Sequence, residues 1–320
     1  MSATVTCVPT GPDPAADPAA DPAADPAADP AEFTTTPDGV DLALYDFGGS
    51  GVDLLMVHAT GFCAGVLLPL AHALRDRFHC WALDLRGHGR SARPADGDYA
   101  WSGFAVDVLA AVDALGLDRP VAFGHSCGGA SLLLAEQARP GAFERLYLFE
   151  PVVVPDQPVP FPLEENPLSA GARRRRDTFP SAADAFVNFS SKPPFDALEP
   201  AVLLRYVTDG FEPVPASEGG DGIAIRLRCR REDEAQVYVH GFGNGAFARL
   251  GEVQCPVTFA YGTMTDAFGK EIMTIDASRV PDAVVEEHHE LGHFGPLERP
   301  DAMADGVWRA LTFPDGTTGP

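Results

Sequence analysis

The chain has 320 residues, 45% of them hydrophobic, enough to bury one large core or two smaller ones. Lys and Arg number 23 against 46 Asp and Glu, a formal net charge of −23 at pH 7 that argues against nucleic acid and anionic membrane surfaces and leaves a small molecule as the expected partner. Six cysteines, at 7, 63, 80, 127, 229 and 255, show no Cys-x-x-Cys spacing, which fits neither a metal site nor a disulfide framework and reads as reduced, mostly buried thiols.

Residues 12 to 31 repeat Asp-Pro-Ala-Ala, a period too short for a solenoid unit and too poor in apolar side chains to form a core, so residues 1–32 are expected to be a disordered acidic tail. The opening residues lack the basic and apolar segments of a signal peptide, and no later run is long enough to span a membrane. A cytoplasmic protein, monomer or homodimer, is the expectation. From Phe33 short β-rich runs at 33–36, 40–47 and 52–57 suggest an antiparallel ribbon leading into a first parallel strand. Strands and helices then alternate: helix 67–77, strand 79–84, helix 103–116, strand 120–124, helix 127–138 and strand 145–150. This alternation predicts a mostly parallel central sheet flanked by helices. After Glu150 it stops. Residues 154–254 are Pro-rich at first, then mainly helical near 181–189, 199–208 and 231–240, before strand patterns resume at 256–261 and 284–287.

One stretch stands out chemically. Gly124-His125-Ser126-Cys127-Gly128 lies where the strand ending at Phe123 runs directly into an apolar helix. A turn that tight strains the central residue and crowds the positions two before and two after it, which glycine relieves. It would hold the Ser126 hydroxyl at a helix N-terminus, where backbone N–H groups favour a developing negative charge. Further along come Gly262-Thr263-Met264-Thr265-Asp266 and Gly292-His293-Phe294-Gly295-Pro296, each on a loop after a predicted strand, giving the order Ser, Asp, His. Ahead of the elbow, Val57-His58-Ala59-Thr60-Gly61 and Asp84-Leu85-Arg86-Gly87-His88-Gly89 close two other strands.

These five motifs, in this order, resemble the α/β-hydrolase superfamily over about Phe33 to Phe313, closest to its serine-nucleophile, cap-bearing branch of esterases, haloperoxidase-like and epoxide-hydrolase-like sequences. The resemblance implies an α/β-hydrolase fold, with a core from 33–153 and 255–320 and a mainly helical cap, or lid, from 154–254 inserted after the sixth strand. It implies a catalytic triad of Ser126 as nucleophile, His293 as base and Asp266 as the acid that orients the imidazole. Asp266 lies four steps beyond Gly262 where family members more often have three, and Glu150, at the end of the sixth strand, is the alternative acid. The implied oxyanion hole combines the N–H of Cys127 with that of Thr60, or of the neighbouring Gly61. His58, His88 and His125 read as structural. No metal and no cofactor are implied.

The expected function is hydrolysis of a small ester, lactone or thioester through an acyl-enzyme intermediate. C–C bond hydrolysis or cofactor-free perhydrolysis on the same triad is the alternative, and a non-catalytic ligand-binding receptor of the same fold is the rival from another class. Dehalogenases and epoxide hydrolases of this architecture carry Asp at the elbow, which Ser126 argues against. Arg173 to Arg176, with Arg226, Arg228, Arg230 and Arg231, concentrate positive charge in the insertion. They read either as surface ion pairs, the favoured reading, or as a receiver for a substrate carboxylate or phosphate, with Phe179, Phe186, Phe195 and Tyr238 as apolar candidates for a pocket lining.

Overall fold

A computed structural model of the chain describes residues 29–155, 162, 165–215 and 223–312. The expected tail falls outside the described residues up to position 28. The first strands are β1 (Glu32–Thr35), β2 (Asp41–Gly49) and β3 (Val52–Val57), followed by a 3-10 turn at Ala64–Leu67, helix α1 (Leu68–Leu74) and β4 (Phe78–Leu83). Helix α2 (Trp101–Ala114), β5 (Val121–His125), α3 (Cys127–Ala138) and β6 (Arg145–Phe149) complete the first half. The insertion holds α4 (Pro167–Arg174), β7 (Thr178–Phe179), α5 (Ala182–Ser190), α6 (Pro200–Asp209), β8 (Phe211–Pro215), β9 (Ile223–Leu227) and α7 (Arg231–Gly241). The chain then closes with β10 (Val257–Gly262), α8 (Lys270–Ala277), β11 (Ala283–His288), α9 (Gly295–Glu298) and α10 (Pro300–Thr312).

Eight strands form one sheet in the order β1-β2-β4-β3-β5-β6-β10-β11. β1 and β2 are antiparallel, β2 joins antiparallel to β4, and every pair from β4 to β11 is parallel. The opening ribbon therefore docks on β4, not on the strand that follows it in sequence. All five residues of β5 are buried, as expected for a central parallel strand covered on both faces. One apolar cluster packs α1 and α10 against one side of the sheet, with Leu70, Leu74, Phe123, Tyr147 and Val307 among its members. The other packs α2, α3 and α8 against the opposite side through Phe104, Val108, Leu132, Phe259 and Met273.

The insertion is not purely helical. Its strands pair as a second, antiparallel sheet in the order β7-β9-β8. The sequence pattern hid it because β7 has two residues and β8 contains two prolines, a composition that reads as loop. The five cysteines among the described residues are free and buried. No helix of the described residues is long and apolar enough to cross a membrane.

Asp276 in α8 is fully buried, and among the described residues neither of its carboxylate oxygens has a hydrogen-bond partner. Burial pushes its carboxyl up to about 8, against an ordinary value of 3.8. The folded state thus holds a proton there that the unfolded chain releases, so stability from this group is full below the ordinary value and falls as pH rises through about 8. Asp276→Asn removes the titration. Its melting temperature is expected to exceed that of the parent by a margin that grows between pH 4 and pH 8; a margin independent of pH in thermal melts would count against this account.

Candidate active site

The site begins with how β5 meets α3. A Cβ on Gly124 would lie 2.7 Å from Gly129, and one on Gly128 would lie 2.2 Å from the Val57 carbonyl, so both positions accept only glycine. Between them Ser126 takes the left-handed conformation, φ 54° and ψ −114°. Its N–H donates to the Phe149 carbonyl at 2.9 Å, tying the turn to the end of β6. Cys127 opens α3, where a helical N–H has no acceptor within its own helix. Burial pushes the Cys127 thiol up to about 12, leaving it a neutral packing group beneath the elbow.

His293 approaches from the loop after β11. Its Nε2 lies 3.2 Å from Ser126 Oγ, and its Nδ1 lies 2.7 Å from Glu150 Oε2. A carboxylate only accepts, so Nδ1 carries the hydrogen and the free Nε2 lone pair faces the Ser126 hydroxyl. His125, the second elbow residue, fixes the loop from below by donating from Nε2 to the His293 carbonyl at 2.8 Å. Burial depresses the basicity of His125 well below the histidine norm, which keeps that donor neutral.

The carboxylate on His293 is Glu150, and Asp266 does not take that place. Glu150 follows β6 in a left-handed conformation, φ 44°, and is fully buried. Gly262 N donates to its Oε1 at 3.0 Å, while Thr265 Oγ1, at 2.8 Å, and Phe268 N, at 3.4 Å, donate to its Oε2. The residue three steps beyond Gly262 is Thr265, which supplies a donor to a carboxylate arriving from the neighbouring strand. Asp266, one step further, is exposed and lines the cavity. The spacing departure in the sequence thus has a physical meaning: the loop after β10 cradles Glu150 and places no carboxylate of its own on His293.

The turn after β3 is held by His58, whose Nδ1 donates to the Ala59 carbonyl at 2.8 Å and whose Nε2 accepts from Leu85 N at 3.1 Å. Burial lowers its pKa to about 4, so it stays neutral and spans two turns. In the turn after β4, Asp84 accepts from Tyr45 Oη, Ala64 N and Arg90 N at 2.7, 2.7 and 2.8 Å. Arg86 pairs with Asp107 at 2.7 Å and with Asp38 at 2.8 Å.

A cavity of about 480 Å³ opens above Ser126 and His293. Thr60 and Gly61 reach it from the turn after β3, and Phe195 and Tyr238 from the insertion. Phe179 is instead buried in the core, and Phe186 packs against that core. Most insertion arginines are surface partners. Arg173 binds Glu232 at 2.9 Å, Arg226 binds Glu212 at 2.6 Å, and Arg231 binds Asp177 at 3.0 Å. Arg175 alone of the group lines the cavity, where it meets Glu234, and it also donates to the fully buried Tyr206. Sequence reasoning missed Glu234 and Tyr206 because nothing in a helix face announces that it will be laid over the turn after β3.

A profile of the alpha/beta hydrolase family matches residues 54–306. The chain belongs to this family. Among curated relatives it is 36% identical over 108 residues to N-formylmaleamate deformylase of Pseudomonas putida, across 33% of this chain and 40% of that protein. It is 35% identical over 103 residues to a bifunctional esterase/perhydrolase of Acinetobacter calcoaceticus, across 30% of this chain and 36% of that protein. The matched stretches thus span well under half the length of either relative. Among solved structures, E-2-(acetamidomethylene)succinate hydrolase superposes with a TM-score of 0.72 over 87% of this hydrolase-family chain and 98% of that one. At 19% identity, that likeness speaks for the fold alone.

Exchanging the two acids separates their roles. Glu150→Gln keeps the shape but removes the charge that fixes the imidazole tautomer, and is expected to cut turnover by about 10⁴-fold. Asp266→Asn should stay within a few-fold of the parent. Steady-state kinetics on a 4-nitrophenyl ester decide it, and the reverse ranking would return the acid to the loop after β10.

Proposed function

We propose that this protein is a serine hydrolase that cleaves a small ester, lactone or thioester through an acyl-enzyme intermediate. The observation that carries the reading is the unbroken line of hydrogen bonds from Ser126 through His293 to Glu150 beneath an open cavity. Ser126 Oγ attacks the substrate carbonyl as its proton passes to His293 Nε2, because an unassisted hydroxyl is barely ionised at neutral pH. Glu150 stabilises the imidazolium that results. The tetrahedral oxyanion is met by the N–H of Cys127 and, from the turn after β3, that of Thr60, with Gly61 as the adjacent donor. Collapse expels the alkoxide or thiolate, which leaves with the proton from Nε2. Water, deprotonated by His293 in turn, then attacks the acyl-enzyme, and the acid is released with Ser126 restored.

Residues 154–254 serve in this reading as a lid over the reacting carbonyl. Support comes from Phe195, Tyr238 and Arg175, which wall the cavity from the insertion side, and a lid that displaces water strengthens the electrostatic contacts beneath it. The names of the relatives, a deformylase and an esterase/perhydrolase, fit acyl-group chemistry more directly than C–C cleavage. A ligand-binding receptor would have no use for a carboxylate-oriented imidazole against a strained serine.

A fluorophosphonate probe is expected to label the parent protein at Ser126. Ser126→Ala and His293→Ala should each lose labelling and lower ester turnover by about 10⁴-fold or more, since members of such a unit do not contribute additively. Circular dichroism should remain that of the parent. A labelled Ser126→Ala protein, or one that still turns over a 4-nitrophenyl ester at the parent rate, would overturn the assignment.

A further inference from the structure

Charge inside the cavity is unusual for a pocket walled by several arginine-bearing segments. All 23 Lys and Arg residues lie among the described residues, and only Arg175 lines the cavity. Its guanidinium is committed. Nη1 donates to the Glu234 carboxylate and Nη2 donates to the Tyr206 hydroxyl at 2.6 Å. The Arg175 side chain is one-fifth exposed and that of Glu234 only 6%, so neither is free to swing out to solvent.

Glu234 is also fixed from the core side. Gly61 has φ +80°, and a Cβ there would lie 2.7 Å from Glu234 Oε1. The carboxylate is therefore packed directly on the turn that carries Thr60, next to where the reacting carbonyl would sit. Asp266 adds a second, exposed carboxylate to the cavity lining. One guanidinium against two carboxylates leaves the lining net negative, inside a chain whose own net charge is −23. Most of the remaining wall is apolar, with the rings of Phe62, Trp101, Phe195, Phe242 and Phe294 among it.

A substrate carboxylate entering this space would shed its water against aromatic rings, approach Asp266, and find the sole guanidinium already neutralised. Ions buried without a partner bear a heavy desolvation cost, and a pair formed by displacing Glu234 would strand that carboxylate instead. We propose that the cavity selects acyl compounds that are uncharged on both sides of the scissile bond and rejects those bearing a carboxylate, and that the Arg175–Glu234 pair sets this preference. The proposal rests on the hydrolase reading above. It assigns most of the insertion arginines to the surface and gives the one inside the cavity a role opposite to anion capture.

The test uses the full-length protein and a matched pair of substrates, mono-4-nitrophenyl glutarate and its methyl-capped diester, which differ at neutral pH by one charge. The capped ester is expected to show a kcat/KM about tenfold or more above the free acid, and the gap should narrow as salt shortens the screening length from about 30 Å at 0.01 M to about 8 Å at 0.15 M. Glu234→Gln releases Arg175 and should raise the acid-to-capped ratio by about tenfold, the scale of one uncompensated charge at close range. Asp266→Asn should raise it less. Should the Glu234 variant fail to fold by circular dichroism, the salt series and Asp266→Asn carry the test, since an exposed Asp is not required for folding. Calorimetric binding of both esters to Ser126→Ala gives a readout independent of turnover, so loss of catalysis on both esters would sink the hydrolase reading while the affinity ratio still judges the preference. Equal or tighter binding of the free acid by the parent cavity, or a ratio unmoved in Glu234→Gln, would overturn it.

Discussion

The close approach of β5 and α3 is the constraint on which the rest of the site depends. With no side chain at Gly124 or Gly128, the strand can turn into the helix within one residue, and the left-handed backbone of Ser126 is the geometric consequence. Strain of this kind costs of order 1–3 kcal/mol and persists only where the surroundings over-determine it. Here they do: Ser126 N is bonded to Phe149 O, and Ser126 O accepts from Ala130 N and Val152 N. The elbow is thus anchored to the helix it begins and to the chain leaving β6.

That second anchor matters for the acid. Because the elbow and the end of β6 are tied together, Glu150 leaves its strand at a fixed place relative to Ser126, and its own left-handed backbone turns the side chain toward His293. Burying a carboxylate is costly unless it is hydrogen-bonded, and Glu150 accepts from two backbone N–H groups, one hydroxyl and one imidazole. The loop after β10 is shaped to give those donors. Ser126, His293 and Glu150 form one hydrogen-bonded unit, with His125 closing it by holding the backbone of His293.

The insertion adds shape and charge control. Tyr206 links it to the core through packing on Phe62, ring centroids 5.4 Å apart, while its hydrogen bond from Arg175 ties α6 to the segment after α4 within the insertion. A buried ion pair such as Arg175–Glu234 is weak evidence for stability, because desolvation offsets most of its attraction. Its consequence lies in what it leaves unavailable: a neutralised cation cannot capture an anion. Surface pairs such as Arg173–Glu232 change little in energy, being screened and mobile.

The alternation of apolar strands and amphipathic helices, and the Gly-x-Ser-x-Gly stretch between a strand and a helix, were sufficient in the sequence to indicate a mostly parallel sheet and to single out Ser126. These are local signals, written in residues a few positions apart. His293 was legible for a similar reason, from the glycines around it and its place after the last strand pattern. What sequence could not rank was the acid, since Asp266 and Glu150 both follow strands and only the pairing of β6 with β10 sets Thr265 where it donates to Glu150. The two-residue β7 and proline-bearing β8 were illegible because their strand character comes from pairing with β9, not from their own composition. Within the run Arg173 to Arg176 the four side chains are equivalent as sequence. Only the tertiary packing of α7 and α6 over the turn after β3 turned Arg175 inward and left Arg173 outside, because the direction of a side chain is decided by the surface laid against it.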